Sequence, residues 1–271
     1  VAIKTTDFSS TERVRVEAYY PESDGEPMGE TDFHINAILY LRQALRHFFQ
    51  DKAAIYVAAN MFFYYEEGNA DARRAPDVFV VKGVSKHDRR VYKLWEEKVG
   101  PCAVFEITSR HTRLEDLGTK RALYEMLGVP EYFLFDPLGE YLSPPLQGFR
   151  LLGRYYQPIE PSAESTLYSQ ELGVLLKPDA ALLRVVDPQT QQVIPTLDEA
   201  VAQTQAAIDR AQVEADRAET EAKRAEAEAK RAEAEAKRAE AEADRADTAE
   251  TEAARLRAEI EQLRRQLREN N

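Results

Sequence analysis

Ala75-Pro76-Asp77-Val78 and, further along, Val104-Phe105-Glu106-Ile107-Thr108-Ser109, running on to Phe135-Asp136-Pro137, decide the fold of this chain. Asp77 and Glu106 sit at the edges of short apolar runs of strand type, Val78 to Val81 and Ala103 to Ile107, where a charge is costly unless something binds it. Two such carboxylates suggest a shared ligand. Downstream, Thr112 to Leu127 reads as a helix, with Leu114, Leu117, Leu123, Met126 and Leu127 at roughly helical spacing and Asp116, Lys120 and Tyr124 on one line four residues apart. That line puts a lysine beside the strand carrying Glu106. The helix should stop at Gly128-Val129-Pro130, and Tyr132 to Phe135 reads as the next strand.

Outward from this centre, the order of elements remains legible. Residues 1 to 30 are polar, with turn signals at Tyr19-Tyr20-Pro21 and Asp24-Gly25-Glu26. Thr31 or Asp32 can cap a helix on which Phe33, Ile35, Ile38, Leu39, Leu41, Leu45, Phe48 and Phe49 make a broad face fit to lie on a sheet. Residues 53 to 59 and 61 to 65 are strand-like, and after Asp136 short strands interrupted by Pro and Gly continue through Phe149 to Tyr156 and Gly173 to Leu176, with Ala181 to Val186 last. Large apolar residues are plentiful early and nearly vanish after residue 197, so the chain divides into a globular domain over 1–193 and a tail over 194–271.

The tail has a different grammar. Ile194, Leu197, Val201, Thr204, Ile208 and then alanines from Ala211 to Ala246 recur at alternating spacings of three and four, which is a heptad seam. After Ala246 the seam slips to Ala249 and resumes through Ala253, Leu256, Ile260, Leu263 and Leu267. Glu219 to Lys223, Glu226 to Lys230 and Glu233 to Lys237 are favourable i to i+4 pairs, so a rod of roughly 100 Å is expected at about 1.5 Å per residue. Such a helix is either a solvated single helix or a coiled coil that makes the protein a homo-oligomer. An alanine seam buries little area, which makes pairing weak in the middle and firmer at the leucine-containing end.

The net charge of -12 argues against a broadly basic nucleic-acid surface, yet residues 73 to 121 carry twelve Lys or Arg against seven acids. The single cysteine, Cys102, reads as a buried and inert thiol in a reducing compartment. No apolar run approaches the ~18 residues of a membrane span, so a soluble, cytoplasmic protein without a membrane partner is expected.

Taken together in this order, Pro76-Asp77-Val78, Phe105-Glu106-Ile107-Thr108-Ser109, Thr112 with Asp116 and Lys120, Tyr124, and Gly128-Val129-Pro130-Glu131-Tyr132 with Asp136-Pro137 resemble the restriction endonuclease family Uma2, a branch of the PD-(D/E)XK nuclease superfamily. His34 and Asp24-Gly25-Glu26 are also similar to the family pattern. The resemblance implies an α/β fold, a restriction-endonuclease-like mixed sheet flanked by helices, here followed by a long C-terminal helix or coiled coil. It further implies Mg2+- or Mn2+-dependent hydrolysis of DNA, with Asp77 and Glu106 as metal ligands and Lys120 completing the catalytic set. The lysine of the superfamily's E-x-K pattern is replaced here by Thr108, which makes Lys120 on the next helix the migrated candidate. Glu26, His34 and Tyr124 are accessory candidates. Each also has a plainer reading: Asp77 as a turn acid, Glu106 in a structural salt bridge to Lys120 or Arg121, Lys120 as a solvated helix lysine, His34 as a cap or core residue, Tyr124 as packing, Glu26 as a turn acid. A catalytically inactive nuclease fold, binding nucleic acid or protein and oligomerised by its tail, is the second reading.

Overall fold

The computed structural model describes residues 18–23, 25, 30–162 and 164–269. Helix α1 spans Asp32–Phe48, and the Thr31 side chain caps it by accepting from the backbone N–H of His34 at 3.3 Å. Strands β1 (Ile55–Ala59), β2 (Phe63–Tyr64), β3 (Arg73–Arg74), β4 (Val78–Lys82) and β5 (Tyr92–Lys93) follow, then a single turn of helix, α2 (Leu94–Glu97). β6 (Ala103–Ile107) leads through a π-helix (Glu115–Lys120) directly into α3 (Arg121–Met126) and β7 (Glu131–Phe135). After it come β8 (Leu146–Leu152), β9 (Tyr155–Pro158), β10 (Leu167–Ser169), β11 (Val174–Asp179), β12 (Leu182–Val186) and the long helix α4 (Leu197–Glu269).

The main sheet has six strands in the order β1-β4-β6-β7-β8-β9. Within this sheet β6 and β7 pair in parallel and the other neighbours antiparallel, with Ala103 opposite Glu131 and Ile107 opposite Phe135. Parallel neighbours cannot be joined by a tight turn, so the chain must leave the sheet and return, and the π-helix and α3 are that crossover. Both strands are buried throughout, because each face of the sheet is covered. One face packs Val78, Val80, Phe105 and Phe133 against α1 and the small sheet β10-β11-β12. The other packs Phe79, Val104, Tyr132 and Leu134 against Tyr124 of α3 and against Phe63 and Tyr92 from the second small sheet, β3-β2-β5. The mixed sheet flanked by helices and followed by a long helix is therefore the architecture of the protein.

Three expectations change in detail. The face of α1 is narrower than its apolar residues imply: Ile38, Leu41, Leu45 and Phe49 are buried, whereas Phe33, Ile35 and Leu39 are 50%, 42% and 48% exposed. The stretch read as one α-helix over 112–127 begins as a π-helix, and its inward residues are Asp116 and Tyr124 while Leu114 and Met126 face solvent. Residues 149–156 form parts of two strands, hinged at Gly153, whose φ of 68° lies in the left-handed region. Cys102 is buried just before β6, and burial pushes its thiol up to about 12, which keeps it protonated and unreactive. Among the described residues, no helix is long and apolar enough to cross a membrane.

α4 is helical over 73 residues with the side chains of 201–266 all exposed, and Lys223, Lys230 and Lys237 pair with Glu219, Glu226 and Glu233 at 2.6 to 2.7 Å. In the core, Gly148 of β8 marks the tightest approach. A Cβ there would stand 2.8 Å from Leu167 Cδ1 and 3.0 Å from the Phe133 ring. Gly148→Ala is expected to destabilise the fold by ~1–3 kcal/mol through overpacking, read as a lower urea midpoint at unchanged slope; an unchanged midpoint would show that Leu167 yields freely.

Candidate active site

The functional side chains gather where β6 ends. Asp77 lies just before β4, and its Oδ2 accepts the backbone N–H of Ile107 at 2.6 Å, which ties the Pro76-Asp77 turn to the neighbouring strand. Its Oδ1 stands 3.6 Å from Nε2 of His34, in the first turn of α1. Glu106 points to the crossover side of the sheet and is 1% exposed. Its Oε1 accepts from the Tyr124 hydroxyl at 3.0 Å and its Oε2 from the Lys120 ammonium at 2.8 Å. The same ammonium is 2.8 Å from Oδ1 of Asp116, so Lys120 bridges the two acids. Asp116 is wholly buried.

The spacing of four sets this convergence. Asp116 and Lys120 on the π-helix and Tyr124 on α3 stand four residues apart, close to one turn in either geometry, and so share the inward face. Gly118, a poor α-helix former, lies in its middle. Tyr132 of β7 fastens the segment by donating its hydroxyl to the Asp116 carbonyl at 2.9 Å.

Three carboxylates, Asp77, Glu106 and Asp116, thus share one neighbourhood with one lysine and one histidine. Burial pushes the Glu106 carboxyl above its ordinary range; Lys120 pulls it down, and the charges of Asp77 and Asp116 push it further up. Asp116 is raised as well, again chiefly by burial and against the pull of Lys120. For Lys120, burial alone would lower the ammonium, but Glu106 and Asp116 outweigh it and hold it charged. Burial likewise works against protonated His34, and Asp77, Glu30 and Asp116 reverse the sign, leaving it raised.

An excess of buried negative charge fits a cation. The donors are hard oxygens, and among the described residues no group of three or more His, Cys, Asp or Glu side chains is placed to hold a metal ion. Asp77 and Glu106 would therefore supply two protein ligands at most besides backbone carbonyls, a set suited to Mg2+, which retains several waters.

Of the residues expected from sequence, His34, Asp77, Glu106, Lys120 and Tyr124 come together, while Glu26 lies outside the described residues. Arg121, an alternative partner for Glu106, instead covers the Phe149 ring at 4.0 Å. Asp116 is the member that sequence reasoning left without a role, although its spacing four residues before Lys120 was visible. Thr108, which follows β6, is 2% exposed, and its hydroxyl has no hydrogen-bond partner among the described residues.

A family profile described as "Uma2: Putative restriction endonuclease" matches residues 11–193. The chain belongs to the Uma2 family. Among solved structures, it is similar to a protein described as a putative nuclease belonging to DUF820 from Anabaena variabilis, at 12% identity and a TM-score of 0.39, over 54% of this chain and 76% of that one. No curated protein matches. The matched span of the Uma2 family contains every one of the clustered side chains.

The raised Glu106 carboxyl has a consequence for stability. A folded-state pKa above the unfolded value favours folding while the group is protonated, and that contribution is lost as pH rises through the folded value. In the absence of metal, Glu106→Gln is thus expected to melt higher than the wild type near pH ~8, by on the order of 1 kcal/mol, with the gap closing toward pH ~5. A wild type at least as stable as the variant at the alkaline end would mean that Lys120 fully compensates the carboxylate.

Proposed function

We propose that this Uma2 protein is a divalent-metal-dependent endonuclease that hydrolyses DNA phosphodiester bonds, with Asp77, Glu106 and Lys120 at its centre. The reading is carried by one observation: the turn before β4, strand β6 and the crossover helix bring a tethered aspartate, a buried glutamate and a lysine to the end of one strand. A stability role alone does not account for this. Burying a carboxylate beside two others is costly, and replacing such clusters with apolar residues is often neutral or stabilising.

Each side chain has a task. Asp77 and Glu106 would hold Mg2+ or Mn2+, Asp77 oriented by the Ile107 N–H and Glu106 by the Tyr124 hydroxyl. The bound cation would polarise the phosphodiester and lower the pKa of a water for in-line attack. Lys120, kept charged by its two acids, would stabilise the negative charge that develops on the phosphoryl oxygens. For that it must exchange one carboxylate contact for the phosphate, and cation binding at Glu106 favours the exchange by neutralising the partner. His34 restrains the second oxygen of Asp77, a positioning role.

A second reading rests on the same lock. With Lys120 engaged by Glu106 and Asp116, the core could bind nucleic acid without cutting it. The helical tail over 194–271 completes the proposal by pairing with a second copy, since Val201, Ile208, Leu256, Ile260 and Leu263 are at least half exposed along α4. The nuclease domain then occupies 1–193.

Asp77→Asn and Glu106→Gln are each expected to abolish Mg2+- and Mn2+-dependent cleavage of plasmid DNA while remaining folded; cutting at the wild-type rate by both variants would remove the assigned site. Lys120→Ala should slow the single-turnover rate by the equivalent of ~2.7 to 4 kcal/mol, with DNA affinity measured in Ca2+ little changed. Loss of affinity with the rate preserved would mark Lys120 as an ordinary phosphate contact. Deleting 197–271 should reduce the mass measured by light scattering to that of a single core, and an identical oligomeric number for both chains would remove the coiled-coil assignment.

A further inference from the structure

A cavity of about 230 Å³ opens beside the carboxylates, between the first turn of α1 and the loop that follows β7. Its volume falls below the roughly 300 Å³ at which pockets for drug-sized ligands begin, which suits an occupant the size of one ring system. Two features say that the occupant is flat, with a polar edge. Phe33, half exposed at the start of α1, shares the lining with Leu138 and Tyr141, so the walls include apolar and aromatic surface. Against them stand two buried polar atoms without hydrogen-bond partners among the described residues: Oγ1 of Thr108, in a residue 2% exposed, and Nδ1 of His34, in a residue 5% exposed, 3.6 Å from Glu30 Oε2. Buried polar atoms are rarely left unpaired unless something else satisfies them.

The charges around the cavity point the same way. Arg110 and His111 contribute cationic or ionisable groups to the lining. Asp136 also lines it, but its oxygens are occupied by the backbone N–H groups of Leu138, Gly139, Tyr141 and Leu142, which fix the loop that forms one wall. Glu30 is the one lining acid not so occupied, and it faces His34.

We propose that this cavity receives one unstacked nucleobase of the DNA strand beside the scissile phosphate, so that the substrate is DNA with an unpaired nucleotide at the cleavage position. The inference rests on the nuclease reading of Asp77, Glu106 and Lys120. A ring lying on Phe33 or Tyr141 would offer its edge to the Thr108 hydroxyl and the His34 imidazole, and its flanking phosphate to Arg110. A surface that only tracked phosphates would need neither the apolar walls nor the buried hydroxyl. A base that is paired and stacked in a duplex cannot enter; single strands, flaps and bubbles present it without the unstacking cost.

The test uses the full chain in Ca2+ with an oligonucleotide carrying 2-aminopurine, offered as a single strand, at an unpaired position in a bubble, and in a full duplex. The unpaired forms should bind about tenfold more tightly than the duplex, the scale of one stacked base, with a change in 2-aminopurine emission on binding. Phe33→Ala and Thr108→Val should each shrink that preference and the emission change, with Thr108→Ser restoring both. Thermal melts establish that the variants are folded, which the half exposure of Phe33 favours. Equal or tighter binding of the duplex, an emission insensitive to binding, or a Phe33→Ala effect equal on all three forms would overturn the proposal. Parallel cleavage in Mg2+ separates the two readings. Selective binding without cutting would sink the nuclease assignment and keep the base pocket, whereas indiscriminate cutting of duplex DNA would do the reverse; no binding to any form would sink the pocket.

Discussion

The contact of Lys120 with Glu106 is the constraint on which the rest of this domain depends. A carboxylate in the middle of a six-stranded sheet, under a layer of helix, is tolerable only if a cation reaches it without exposing the strand to water. The chain meets this need with the crossover that the parallel β6–β7 pair requires in any case. The helix that must travel between those strands carries the lysine, and the π-helix aims it. Topology and electrostatics are satisfied by the same residues.

Glu131 shows what a buried acid looks like when its task is structural. It stands at the start of β7, and both of its oxygens are saturated by Arg150, by the Ser169 hydroxyl and by the backbone N–H groups of Gln170 and Glu171. This binds β7 and β8 to the loop after β10. Glu106, by contrast, is held by one donor on each oxygen, a lysine ammonium and a tyrosine hydroxyl, and it shares that ammonium with Asp116. The first arrangement leaves nothing over for a ligand, and the second does.

Much of this was legible in the sequence. Asp77, Glu106 and the Asp116-Lys120-Tyr124 line were visible because charges stood out against apolar strands and because a spacing of four repeats on a helix. The crossover's true register was not, since a π-helix leaves no hydrophobic period of its own, and leucines at 114 and 117 advertised a buried face that does not exist. The face of α1 was overread for a related reason. Apolar content distinguishes neither a residue packed on the sheet, such as Leu41, from one left at a cavity mouth, such as Phe33. The orphaned hydroxyl of Thr108 could not be foreseen either, because whether a buried oxygen finds a donor is a tertiary fact. The tail was plain, since alanine, glutamate and lysine at heptad spacing have few other structures open to them.

The π-helix also limits how this domain can vary. An α-helical residue turns the chain by about 100°, so deletion of a single residue between Lys120 and Tyr124, where the π-helix has given way to regular α-geometry, would rotate Asp116 and Lys120 by about that angle away from the face that Tyr124 keeps. An insertion would do the same in the opposite sense. Loops elsewhere on the surface can lengthen or shorten at small cost, but this crossover has a fixed count. Its length, no less than its composition, is part of the site.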